Sequence, residues 1–141
     1  MITSEQTYII KTIDFDVFSI SLRSDRIYFI EIKPEKDFCI AHMEEVIQAE
    51  IELGAEILPI LIFCNEFSST NAELMNHLAK EGANPYASAE AYVLTSLNQR
   101  ILGNFYSKII RPASPTKLFN SAEEAEKWLC QFKKMEEAKS V

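Results

Sequence analysis

Ile57-Leu58-Pro59-Ile60-Leu61-Ile62-Phe63-Cys64 is the stretch on which the fold of this chain turns. It has no polar face, and it is far shorter than the ~20 residues needed to span a bilayer. Such a run predicts a central strand covered on both sides by other layers. Pro59 lacks an N–H but falls near the strand's start, where the ladder tolerates it. A strand buried on both faces calls for helices around it, so the flanking sequence should alternate between the two periods.

Upstream, Phe18, Ile20 and Leu22 are apolar while Ser19, Ser21 and Arg23 are polar, a strand with one wet face. Ser24-Asp25 makes a turn, and Ile27 to Ile32 forms a second strand ending before Pro34, close enough to pair as an antiparallel hairpin. A helix follows from near Ala41. Ile40, Met43, Val46, Ile47 and Ile51 recur at helical spacing among Glu44, Glu45, Gln48 and Glu52, and Gly54 sits where the helix should end.

Downstream, Thr70-Asn71-Ala72-Glu73 matches a capping box opening a helix with Leu74 and Leu78 on one stripe, stopped by Gly82, Asn84 and Pro85. Ala91 to Thr95 predicts a fourth strand. Leu97 to Ile110 predicts a third helix, with Ile101, Phe105 and Ile109 as its apolar face. Lys117-Leu118-Phe119 is a short fifth strand after the Pro112–Pro115 loop. Ser121-Ala122-Glu123-Glu124 opens the last helix, whose apolar face is Ala125, Trp128, Leu129 and Phe132.

The expected class is therefore α/β: a single domain with a mixed, roughly five-stranded sheet and about four helices. An N-terminal antiparallel hairpin joins strands made parallel by right-handed crossovers. Residues 1–12 are expected to be a lead-in, 13–135 the domain, and 136–141 a frayed charged tail.

Composition narrows the function. The 141 residues suit one core, and 48% hydrophobic with 25% charged residues is ordinary globular material. A net charge of -7 repels phosphate backbones, so nucleic acid is not an expected partner. Cys39, Cys64 and Cys130 are far apart and set among apolar residues, which suggests buried free thiols in a reducing compartment. No secretory signal or membrane-spanning run is visible, so the expected location is cytoplasmic.

Pro112-Ala113-Ser114-Pro115-Thr116-Lys117-Leu118-Phe119, followed by Ser121-Ala122-Glu123-Glu124-Ala125 and Trp128-Leu129, resembles bacterial members of the SpoIIAA-like group, relatives of the STAS domains of anti-sigma-factor antagonists. Pro59-Ile60-Leu61-Ile62 is similar to the group's central strand, and Arg100-Ile101-Leu102-Gly103-Asn104-Phe105 to its third helix. The likeness runs roughly from Phe15 to Phe132. It implies a non-enzymatic regulatory module that works through a protein partner. STAS domains share their architecture with lipid-carrying Sec14-type domains, so a small-molecule or lipid binder is the alternative. In the antagonists, a serine in a D-S-x-G-type turn after the central strand is phosphorylated. The corresponding turn here, Asn65-Glu66-Phe67-Ser68-Ser69-Thr70, has neither the Asp nor the Gly.

Ser68, Ser69 and Thr70 are candidate regulatory hydroxyls at a helix N-terminus, where a phosphate would meet free N–H groups; the plainer role is helix capping. His42 and His77 stand alone, without a second metal ligand or a nucleophile, and no phosphate-cradling glycine loop exists. Adjacent glutamates such as Glu44/Glu45 and Glu123/Glu124 do not face each other on a helix. No catalytic residue, metal or cofactor is expected. From Ala91 to Ala122 there is no Asp or Glu, whereas Arg100, Lys108, Arg111 and Lys117 all occur. With Phe105 and Tyr106 among them, they form a candidate surface for a protein partner, a second copy of the chain, or a lipid or small anionic ligand.

Overall fold

The computed structural model describes residues 6–80, 83–109, 112 and 114–140. Its sheet has six strands in sequence order, β1 (Ile9–Asp14), β2 (Phe18–Arg23), β3 (Tyr28–Ile32), β4 (Leu58–Cys64), β5 (Ala87–Leu94) and β6 (Thr116–Phe119). β1, β2 and β3 are antiparallel; β3 through β6 are parallel. The helices are α1 (Ala41–Glu52), α2 (Ala72–Leu78), α3 (Leu97–Ile109) and α4 (Ala122–Ser140).

The mixed α/β class and the helix positions agree with the sequence, and the strand count differs by one. β1 lies in the expected lead-in. It is an edge strand whose residues are nearly all exposed, so it lacks the alternation that burial imposes. Pairing shifts by a residue between Ile9 and Lys11, a bulge that blunts an exposed edge. At the other end, α4 continues to Ser140 rather than stopping at Met135.

Each parallel crossover steps one strand in the same direction, so the right-handed rule places α1, α2 and α3 on one face. The two cores show this division. Met43, Val46 and Leu74 pack with Ile30, Ile60 and Ile62, while Ala125 and Leu129 pack with Leu61, Ala89, Ala91 and Val93 on the opposite face. The alanines at 89, 91 and 125 are fully buried and let α4 lie close against β4 and β5. Leu129 is the anchor of that face; Trp128 is only half-buried, between Phe119 and Phe132.

Local chemistry explains the ends of the elements. Pro59 is fully buried but sits at a register shift between β4 and β5, which excuses its missing donor. Gly54, at φ 122, lets the chain leave α1 in a conformation that L-residues rarely adopt. The cap of α2 is Asn71, whose Oδ1 accepts from Leu74 N at 3.0 Å, not Thr70 as the capping-box pattern suggested. Asn is at least as good a cap as Thr, and it is one residue closer to the helix.

α3 departs most from expectation. Its stripe of Ile101 and Phe105 was expected to face the core, yet both are more than half exposed, as is Leu97 one turn before. Among the described side chains of α3 none is buried. The helix approaches the sheet closely at Gly103, where an added Cβ would lie 3.0 Å from Leu118 Cδ1 and 3.1 Å from Leu94 Cδ1.

Candidate functional site

Because α2 buries only Leu74 and α3 stands off the sheet, a cavity of about 580 Å³ remains between the sheet and the three helices. Its floor is built by strand alternation: Ile30 and Ile32 from β3, Ile60, Ile62 and Cys64 from β4, Glu90, Tyr92 and Leu94 from β5, and Leu118 from β6. Met43 and Val46 of α1, Leu74, Met75 and Leu78 of α2, and Leu102 and Tyr106 of α3 form the roof. This volume lies within the range of small-molecule sites.

One end of the cavity is pinned by Gln99 on α3. Its Nε2 donates to Asn65 O at 2.7 Å and to Ser68 O and Oγ at 3.1 Å each, while its Oε1 accepts from Thr95 N at 2.8 Å. Thr95 Oγ1 donates to Cys64 O at 2.7 Å, so the C-terminal ends of β4 and β5 are tied to the start of α3. Ligands of open α/β sheets collect at such strand ends. Phe67, 72% exposed, sits at the rim with φ 61, a left-handed conformation costly for a bulky residue.

The other polar feature is a pair of buried carboxyls. Glu90, on β5, accepts from Tyr92 Oη and Ser114 Oγ at 3.1 Å each. Glu50, on α1, is fully buried; its Oε2 accepts from Asn84 Nδ2 at 3.2 Å, and its Oε1 has no partner. Burial pushes the Glu50 carboxyl up to about 8, with the neighbouring Glu90 charge adding to the rise, and burial raises Glu90 as well. Burial likewise lifts the Cys64 thiol to about 12, which disfavours its thiolate. Of the three cysteines expected to be buried only Cys64 is, since Cys39 is half-buried and Cys130, off the apolar face of α4, is exposed.

Sequence reasoning missed Gln99, Glu50 and Glu90. A signal existed for the two acids. Glu50 continues the inward spacing of Met43 and Val46, and Glu90 shares the inward alternation of Tyr92 and Leu94.

The candidate hydroxyls lie at the cavity rim. Ser68 is buried and donates its hydroxyl to Asn65 O at 2.7 Å, besides accepting from Gln99; a phosphate there would break that clamp. Ser69 is exposed and donates to Asp37 Oδ1, so a phosphate there would face a carboxylate. Thr70 Oγ1 is buried without a partner. The basic surface is divided. Arg100, Phe105 and Lys108 lie along α3, Tyr106 turns toward the cavity, and Arg111 lies outside the described residues. Lys117 belongs to the opposite face, its Nζ 5.5 Å from the Phe119 ring centre, because alternation on β6 sends Leu118 toward α3 and Phe119 toward α4. Lys117 therefore does not join Arg100 and Lys108.

His42 Nδ1 accepts from Cys39 N at 2.9 Å, a local role at the start of α1. Among the described residues no group of three His, Cys, Asp or Glu is arranged to hold a metal, and no helix is long and apolar enough to cross a membrane.

None of the curated proteins matches this chain. Among solved structures it is similar to the crystal structure of an uncharacterized DUF3478-family protein with a SpoIIAA-like fold from Shewanella loihica PV-4. The TM-score is 0.53 at 15% identity, covering 92% of this chain and 100% of that one. At such identity the likeness concerns the fold, which is SpoIIAA-like, as the Pro112–Phe119 segment and its following helix implied. Residues 20–133, from β2 through most of α4, match the family described as a domain of unknown function, DUF7793, and the chain belongs to that family.

Proposed function

We propose that this chain is a non-catalytic binding module that takes an apolar small molecule or lipid tail into the cavity between the sheet and α1–α3. The observation that carries this reading is the cavity itself, about 580 Å³ and lined mainly by aliphatic side chains. The space is partly open to solvent, so without a ligand water must stand against those apolar walls. Water is a poor substitute, since aliphatic walls offer it few partners. A ligand's hydrocarbon fills such a space at a gain.

Nile red, a neutral apolar dye, is expected to bind saturably with one site per chain. Met75→Trp places an indole in the cavity from α2 and should weaken that binding by about tenfold or more, with the thermal transition retained. Native mass spectrometry of protein purified without refolding should show a retained apolar adduct. Failure of the dye to bind, or equal binding by Met75→Trp, would remove the basis of this reading.

A second reading rests on the outer face of α3. Leu97, Ile101 and Phe105 form an exposed apolar stripe beside Arg100 and Lys108, neither of which pairs with a described acid. This suits a regulatory protein partner with an acidic rim, and a second copy of this chain, at -7 overall, meets that description. Reversing both cations to Glu should abolish self-association that weakens with salt. Sedimentation of wild type and the double variant across a salt series decides it, and identical profiles would count against α3 as the docking face.

A further inference from the structure

The cavity described above has a sign. Among the described residues its lining includes no Lys, Arg or His, and its one carboxyl is Glu90, 7% exposed on the floor strand β5. Asn84 also lines it and leads to Glu50, fully buried with Oε1 unpartnered. Tyr92 and Ser114 each give one hydrogen bond to Glu90, one to each carboxyl oxygen. A carboxylate oxygen accepts more than one hydrogen bond, and among the described residues no further side-chain donor reaches either one. Two buried acids beside one apolar space, with no cation among the described lining residues, leave that space short of positive charge and of donors.

We infer that the cavity selects amphiphiles by headgroup, taking an apolar body that ends in an ammonium group seated on Glu90 and refusing one that ends in a carboxylate. This rests on the cavity being a ligand site and names the ligand class. A long-chain amine or amino alcohol supplies what the site lacks: a charge opposite to Glu90 and N–H donors for its carboxyl oxygens. A fatty acid would bring its carboxylate beside Glu90, with no basic side chain among the described lining residues to receive it.

The test is displacement of Nile red by dodecylammonium, dodecanol and dodecanoate below their micelle concentrations, for wild type and Glu90→Gln. High salt is used so that the overall acidity of the chain does not gather cations on its exterior. Dodecylammonium is expected to bind best, dodecanoate worst, with at least about tenfold between them. Glu90→Gln should lose most of the ammonium affinity while dodecanol binding stays within about twofold. Should Glu90→Gln not fold, Ser114→Ala, which removes one hydrogen bond holding the carboxyl, takes its place with a smaller loss expected. Wild-type binding of dodecanoate as tight as that of dodecylammonium overturns the inference and leaves the cavity reading standing. So does an ammonium preference that survives in Glu90→Gln. If Nile red binds to neither protein, the cavity reading fails and the headgroup inference falls with it.

Discussion

Leu129→Ala is expected to cost about 2–5 kcal/mol of stability, a larger effect than truncation of a residue that lines the cavity, such as Ile62→Ala, should produce. α4 is the helix packed on its face, and Leu129 is fully buried there among Leu61, Ala91 and Val93. The neighbours that would have to close the gap are fixed: Ala89 and Ala91 are too small to move in, and the sheet is held by paired strands on both sides of β4. The transfer cost of the lost methyls therefore adds to the cost of the void. On the opposite face, truncation of a side chain that lines the cavity enlarges an existing space. Trp128→Ala should cost less than a fully buried ring would, because Trp128 keeps one side in solvent. Urea unfolding checks both variants. An unchanged midpoint for Leu129→Ala would mean that α4 does not hold this face of the sheet.

Glu50→Gln is expected to stabilise the protein at neutral pH by a few kcal/mol. The Glu50 carboxyl titrates near 8 in the folded protein and near 4.5 when exposed, because burial penalises its charge and Glu90 adds to the penalty. Between those values the folded chain keeps a proton that the unfolded chain releases. Stability contributed by this group is therefore full below about pH 4.5 and falls as pH rises toward 8, then levels off. At about 1.4 kcal/mol per pH unit the loss reaches a few kcal/mol, an order-of-magnitude figure. Gln carries no charge at any pH, and its carbonyl still accepts from Asn84 Nδ2. The stability difference between variant and wild type should be small near pH 5 and large near pH 8. Because Glu50 and Glu90 interact, the difference reports Glu50 together with its coupling to Glu90. A difference that stays constant with pH would assign the titration to another group.

The sequence by itself determined what local periodicity and capping can encode. The two-sided apolar run of β4, the inward spacing of α1, the Ser121 start of α4, and the strand–helix alternation that forces an α/β sheet were all readable one segment at a time. Each of these signals is carried by residues adjacent on the same element, where side chains at fixed spacing must share a face. β1 escaped because an exposed edge strand owes its place to hydrogen bonds with β2, which leave no hydropathic trace.

Only the tertiary structure decided which way α3 turns and what lies beneath it. Leu97, Ile101 and Phe105 have the spacing of a core face, and Leu102 and Tyr106 lie on the other side; the spacing is the same whichever side meets the sheet. The cavity is the volume that helices from three crossovers leave over strands β3 to β6, so no single segment contains it. The same holds for its charge. Glu50 and Glu90 are unremarkable in sequence, forty residues of chain apart. They matter because strand alternation and helix placement bury both carboxyls on the same face, beside a cavity with no basic side chain among its described lining residues.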